Sequence, residues 1–434
     1  MRYTSTMEDT REISITVYNN GFGVVKEIRK IDVSKDTEVI QYLDVAQLIE
    51  IDSIIVQGVD VLELNYDYDL VNKEKLMEKY LDKNVVLHDK IANTKDQYRL
   101  LSVKGGIVLE NEVTKEIVIN PEGEIMLPKL PGELIVKPAL IWKIHPAEAE
   151  KIKVSYITKG LTWTSNYIVI LKEKDFILAG WINIENNSGT SYEKANLKLI
   201  AGEVKRVEEY NDKDDTYLKG YKLYSEANSV KFIEKSFLDY HMYTLQHITD
   251  LKNNQSKQVN FIDADHVGYY KYYDFGDYGE KFSIMIEFEN QSHNGLGIPI
   301  PKGKIKVYKE DGEEGNLEFI GEDKINHTPK DEKITLNIGE AFDVVCERVR
   351  LSYKKCSGYD YEEYEFKIRN HKDEEIKVKI NHHIIGDWQM IHFSDEYIKE
   401  NSQKITFWVK ARANEGRSIV FKYKVNKRTT VEIK

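Results

Sequence analysis

The chain has 434 residues, 41% hydrophobic and 31% charged, with a formal net charge of −11. That length exceeds one ordinary core and predicts two to four domains. Charges of both signs are mixed along the chain, which argues against general disorder, and the acidic balance argues against nucleic acid and anionic lipid as partners. Tyrosine is abundant (28) and proline scarce (8), a composition suited to half-buried strands. The two cysteines, Cys346 and Cys356, read as reduced thiols and are too few for a zinc site of the usual kind. The N-terminal stretch has no apolar signal-peptide core, and no run is long enough to span a membrane. The expectation is a soluble, cytoplasmic chain with no integral membrane association.

In chain order, residues 12–31 predict a hairpin around Asn19-Asn20-Gly21. Strands follow over 37–42 and 53–64, with a short helical turn over 45–49. Asn72 is placed to cap a helix carrying Leu76, Met77 and Tyr80 on one side. Residues 83–130 contain short apolar runs broken by Gly105-Gly106 and Pro121-Glu122-Gly123, which predicts an inserted small barrel of SH3-like type. Residues 128–146 hold Pro128, Pro131, Pro138 and Pro146 and read as a linker or edge crossover.

The central segment 158–204 organises the chain. It predicts strands over 163–171, 176–185 and 195–204, with Trp163 and Trp181 as core residues. Residues 208–220 form an acidic loop, and 221–237 read as helical or irregular. Further strands are predicted over 239–246, 257–264, 282–289, 305–308, 317–325, 333–336 and 342–353. From Tyr359 onward the alternation is cleaner and predicts an immunoglobulin-like sandwich. The fold class is therefore mainly β: a multi-domain β-sandwich with few helices. Its parts are an N-terminal β segment (1–68), the helix plus small barrel (69–134), a central sandwich (135–345) and the terminal sandwich (346–434).

Candidate chemistry is sparse. His382 and His383 are adjacent on a predicted strand and face opposite sides of the sheet, so they cannot share a metal from that geometry. His327-Thr328-Pro329-Lys330-Asp331-Glu332 offers a base and carboxylates but reads as a turn. The acidic stretch 211–215 lacks the pattern of a calcium loop, and the glycine-rich 295–303 is no phosphate cradle. No cofactor or metal is expected. The strongest binding candidates are Tyr269, Tyr270, Tyr272, Tyr273 and Tyr278. They read equally as a binding surface or as a strand with tyrosines on both faces, one buried between domains.

Several long motifs together carry a resemblance: GLTWTSNYIV, GWINIENNSGTSYEKANLKLIAGEV, GLGIPIPKGKIKVY, FIGEDKINHTPKDEKITLNIGEAFDVV and FKIRNHKDEEIKV. Over residues 144–425 the chain resembles a bacterial and archaeal family of unknown function that includes mucoidy-inhibitor-A-like proteins. The resemblance implies a β-rich, multi-sandwich fold without established catalytic residues. Many relatives carry a signal peptide and a coiled coil in the N-terminal half. Neither is read here, so envelope location and exopolysaccharide control do not carry over. The leading functional expectation is a non-catalytic scaffold or interaction protein, with a protein partner or a second copy. The alternative is a carbohydrate-binding protein or glycoside hydrolase using the tyrosine run and nearby carboxylates.

Overall fold

A computed structural model describes residues 1–67, 73–90, 92–129, 138–206, 232–277, 279–312 and 315–427. The protein is mainly β, with several sheets and a single α-helix, Lys73–Lys79, among the described residues. The chain divides into two compact units. The first is Met1–Thr162, Glu185–Leu199 and His247–Ser256; the second is Trp163–Ile184, Ile200–Gln246 and Lys257–Lys434.

In the first unit the predicted hairpin forms from Thr10–Tyr18 and Phe22–Val33. Ala149–Lys159 pairs on the far side of Phe22–Val33, and Ile55–Gln57 beyond it. A second sheet runs Arg2–Ser5, Val39–Leu43, Ala139–Ile144, Val61–Asp67. Residues 128–146 are therefore not simply a linker. Prolines flank Ala139–Ile144 without interrupting it, and its alternating Leu140, Trp142 and Ile144 are buried. The helical turn expected over 45–49 falls instead at Ile51–Ser53, as one 3-10 turn.

Phe22–Val33 alternates apolar residues with solvent-facing ones, yet two of its inward positions are Glu27 and Arg29, both 0% exposed. Burying that pair demands hydrogen bonding, and every polar side-chain atom of the two residues has a partner. Arg29 Nη2 meets Glu27 Oε2 at 2.8 Å, and Nη1 donates to Leu43 O (2.9 Å) and Ser5 O (3.3 Å). The Tyr42 hydroxyl donates to Glu27 Oε2 (2.7 Å) and the Tyr156 hydroxyl to Oε1 (3.1 Å). The guanidinium lies 3.6 Å from the Tyr42 ring centre. Burial opposes the Arg29 charge most strongly, but the Glu27 carboxylate together with Tyr42 and Tyr156 outweighs it and holds the pKa above its ordinary value. Both strands flanking Phe22–Val33 shift register near Arg29, between Thr10 and Glu12 and between Ala149 and Lys151. Such bulges re-aim side chains locally.

Residues 73–129 build their own small core from Met77, Tyr80, Val85, Leu100 and Leu109. The predicted helix is present; its proposed cap, Asn72, lies outside the described residues. The five strands form one antiparallel sheet in the order Ile117–Ile119, Val108–Asn111, Thr94–Ser102, Asn84–Asp89, Glu124–Met126. The expected barrel is not closed. Its two outer strands have three residues each and do not pair with each other.

The second unit contains a five-stranded sheet of Gln255–Gly268, Asp175–Asn186, Leu161–Leu171, Gly303–Glu310 and Leu317–Ile325, in that order. A six-stranded sheet runs Lys333–Glu340, Ser283–Glu289, Tyr270–Phe275, Ile376–His383, Lys404–Ala411, Tyr397–Lys399. A four-stranded sheet runs Val344–Cys356, Tyr359–Asn370, Gly416–Asn426, Asp387–Phe393. One face of the six-stranded sheet serves two cores. Ile286, Phe288, Ile334 and Leu336 pack with Val169, Phe176 and Val307 of the five-stranded sheet. Tyr273, Phe275, Val378 and Phe407 pack with Phe366, Ile368, Ile419 and Phe421 of the four-stranded sheet.

Trp163 is the core residue expected, fully buried, with its indole N–H donating to Ile200 O at 3.2 Å. Trp181 is only half-buried. On Asp175–Asn186 the inward positions are Phe176, Leu178, Ile182 and Ile184, so period-two alternation puts Trp181 on the other side. The described part of 221–237 is not helical or irregular: Phe232–Phe237 is a strand paired with Tyr240–Leu245.

Trp163→Ala is expected to cost about 3–5 kcal/mol in urea unfolding, and Trp181→Ala clearly less; equal losses would contradict the assignment of faces. Arg29→Ala, which strands a buried carboxylate, should also cost about 3–5 kcal/mol, and an Arg29→Met, Glu27→Leu double variant less than Arg29→Ala alone.

Candidate functional site

The tyrosine run divides among three environments. Tyr269 is half-buried ahead of the strand, 5.9 Å from the Phe176 ring, with its hydroxyl donating to Lys172 O at 2.9 Å. Tyr273 points into the core shared with the four-stranded sheet. Tyr270 and Tyr272 point to the opposite face, Tyr270 being 72% exposed and Tyr272 7%. Tyr278 lies outside the described residues. On that opposite face the Tyr272 ring meets Trp408 edge-on at 5.0 Å. Burial pushes the Tyr272 hydroxyl up to about 12, with Glu287 and Asp274 adding to the rise. Beside it Thr406 donates to Asn381 Oδ1 (3.0 Å), and Asn381 Nδ2 donates to Asp274 Oδ1 (3.0 Å).

A second concentration of titratable groups lies on Tyr359–Asn370. Asp360, Glu362 and Tyr364 are in phase with the core residues Phe366 and Ile368, so two carboxylates point inward. Asp360 accepts from the Tyr353 hydroxyl (3.1 Å) and lies 3.3 Å from Lys427 Nζ. Glu362 accepts from the Tyr364 hydroxyl (2.9 Å) and lies 3.8 Å from Arg350 Nη1. The two positions sit side by side on one strand, about 6.7 Å apart along it, each tied to a cation and a phenol. A glycosidase needs its carboxylates facing each other across the scissile bond, and one strand face does not provide that. This cluster was absent from the candidates read in the sequence. Its signal was there: acidic residues in the phase of the core positions.

His382 and His383 face opposite sides, as expected. His382 is 5% exposed, ringed by Tyr364, Phe366, Phe421 and Tyr423, with Nε2 3.3 Å from the Tyr423 hydroxyl. Burial, with Arg348 and His383 adding to it, pushes its pKa down to about 3, so the ring is neutral near pH 7. Among the described residues no three His, Cys, Asp or Glu side chains converge to hold a metal ion.

The 327–332 segment is the turn expected. Thr328 and Ile300 exchange backbone hydrogen bonds (2.8 and 2.9 Å), and Asp331 takes the left-handed bend at φ 66°. His327 Nδ1 accepts from the Lys302 backbone N–H at 3.2 Å; burial and the Lys302 charge lower its pKa.

The chain repeats a device that the sequence reading did not isolate. Asn186 and Asn370 end alternating strands, Asn290 directly follows one, and all are buried. Asn186 Nδ2 donates to Thr190 O and Leu251 O, while Oδ1 accepts from Ser188 N–H and Oγ–H. Asn290 Nδ2 donates to Ile298 O (2.7 Å) and Pro329 O (2.9 Å), and Oδ1 accepts from Gly297 N–H. Asn370 Nδ2 donates to Glu374 O, Ala411 O and Arg412 O, and Oδ1 accepts from Lys372 N–H. Each amide replaces the strand partner that the chain loses as it turns away, satisfying backbone groups that would otherwise be buried without partners.

No protein-family model matches the chain, and no curated protein matches it.

Asn290→Ala should lower stability by about 3 kcal/mol, the cost of leaving buried loop carbonyls unsatisfied. Asn290→Asp should lose most of the same amount, because it keeps an acceptor for Gly297 and loses both donations. Urea unfolding midpoints measure both, and an Asn290→Ala midpoint equal to wild type would remove the pinning role.

Proposed function

We propose that the chain is a non-catalytic β-sandwich scaffold or protein-interaction protein, a cytoplasmic member of the family whose motifs it shares. The observation that carries this reading is where the chain commits its buried and inward polar residues. Asn186, Asn290 and Asn370 hold the turns between strands, and the inward carboxylates Asp360 and Glu362 are committed to phenols and cations. Such a protein offers a stiff frame with surfaces. In this reading the terminal sandwich is an immunoglobulin-like module and residues 73–129 an SH3-like one.

The frame has an edge suited to a protein partner or a second copy. Asp387–Phe393 is an outer strand of its sheet, and Ile385, Ile391, Phe393 and Ile398 are exposed along or beside it. Outer strands present unpaired backbone groups, and exposed apolar side chains beside them mark association surfaces.

Light scattering of the pure chain and affinity capture from native lysate, each run with wild type and with an Ile391→Asp, Phe393→Asp variant, test this. The expected result is a self-complex or a defined partner that wild type retains and the variant loses. A monomeric wild type that enriches the same proteins as the variant would overturn the reading.

A further inference from the structure

The six-stranded sheet turns one face to its two cores. Its other face bears a site that the scaffold reading does not use. The strands Tyr270–Phe275, Ile376–His383 and Lys404–Ala411 lie next to one another there, with Asp274 opposite Lys379 and Lys379 opposite Trp408. The floor is a fixed hydrogen-bond chain. Thr406 Oγ1 donates to Asn381 Oδ1, and Asn381 Nδ2 donates to Asp274 Oδ1 and, at 3.3 Å, to Phe275 O. Thr406 and Asn381 are buried although they sit on the outward side of the sheet. A satisfied network of this kind rigidifies the side chains it joins.

Over that floor stand the rings. Tyr272 abuts Trp408 edge-on, and the Lys377 ammonium lies 4.6 Å from the Trp408 ring centre. Tyr270, two residues before Tyr272 on the same face, is 72% exposed. The hydroxyls of Tyr270 and Tyr272, the Trp408 indole N–H and the Lys377 ammonium make no hydrogen bond or ion pair within the described chain. One patch thus combines aromatic rings, a cation and several free donors on a rigid bed.

We propose that this face binds a carbohydrate chain. The exposed ring of Tyr270 offers apolar surface to the C–H side of a sugar, and the free donors and Lys377, which rests on Trp408, meet its hydroxyl or carboxylate oxygens. A ligand rich in acceptors fits a patch rich in donors. The inference uses none of the residues of the Asp387–Phe393 edge, so the two proposals stand or fall separately.

The test takes the full chain to an array of neutral and carboxylated oligosaccharides, followed by calorimetric titration with the best-retained one. Tyr270→Ala and Lys377→Ala are each expected to weaken that binding by about tenfold or more, the loss of one stacking or ionic contact. Both side chains are exposed, so unfolding midpoints should stay at the wild-type value and separate lost binding from lost folding. Failure of wild type to bind any oligosaccharide, or affinity unchanged in both variants, overturns the proposal. So does a wild-type dimer that Tyr270→Ala dissolves, which would assign the face to a second copy of the chain.

Discussion

The second unit depends on a single apolar face shared by two cores. Ser283–Glu289 and Lys333–Glu340 give Ile286, Phe288, Ile334 and Leu336 to one core, while Tyr270–Phe275, Ile376–His383 and Lys404–Ala411 give Tyr273, Val378 and Phe407 to the other. Sheet side chains alternate strictly, so every strand must keep the same phase for both cores to close. The parallel pairing of Tyr270–Phe275 with Ile376–His383 locks that phase through Tyr273 and Val378. A one-residue slip would turn Tyr273 and Phe275 outward and Tyr272 and Asp274 into the core. The opposite face is free of this constraint, which is why aromatic, acidic and basic residues collect there.

Each unit also buries polar groups, and two solutions recur. In the first unit the Glu27–Arg29 pair is matched atom for atom by Tyr42, Tyr156 and two backbone carbonyls. Such a network adds little net stability over an apolar core but strongly penalises any arrangement that leaves one member unpaired. The buried asparagines apply a neutral version of the same rule. An amide carries two donors and an acceptor in fixed geometry, enough to serve a turn that leaves the ladder. Together these features select one set of loop conformations, the requirement of a frame that presents surfaces in fixed positions.

The two proposals place function on opposite kinds of surface. The edge at Asp387–Phe393 is apolar beside open backbone, the chemistry of protein association. The face at Tyr270 and Trp408 is aromatic and rich in free donors, the chemistry of small polar ligands. Neither requires a reacting group. The histidine most removed from solvent, His382, stays neutral because the surrounding rings exclude water and Arg348 adds its charge.

Much of the fold was legible in local pattern. The hairpin at Asn19-Asn20-Gly21, the alternation around Trp163, the helix at Met77 and Tyr80 and the strand-rich terminal region follow from turn chemistry and period two, which are properties of neighbouring residues. The adjacent histidines facing opposite sides followed from the same rule. Other features were decided by partners distant in sequence. Ala139–Ile144 looked like a proline-bounded linker until strands near residues 40 and 64 enclosed it, and the barrel stayed open because its outer strands do not pair. The tyrosine run could not be assigned to surface or core from its letters, since tyrosine suits both; the shared apolar face turned Tyr273 inward and left Tyr270 in solvent. Asp360 and Glu362 marked themselves by falling in phase with Phe366, but only the opposing strands supplied the Arg350 and Lys427 that make two inward charges tolerable. The sequence determined which residues alternate and where the chain turns; the tertiary structure decided which side of each strand meets another sheet, because that choice rests on contacts between segments that are not neighbours in the sequence.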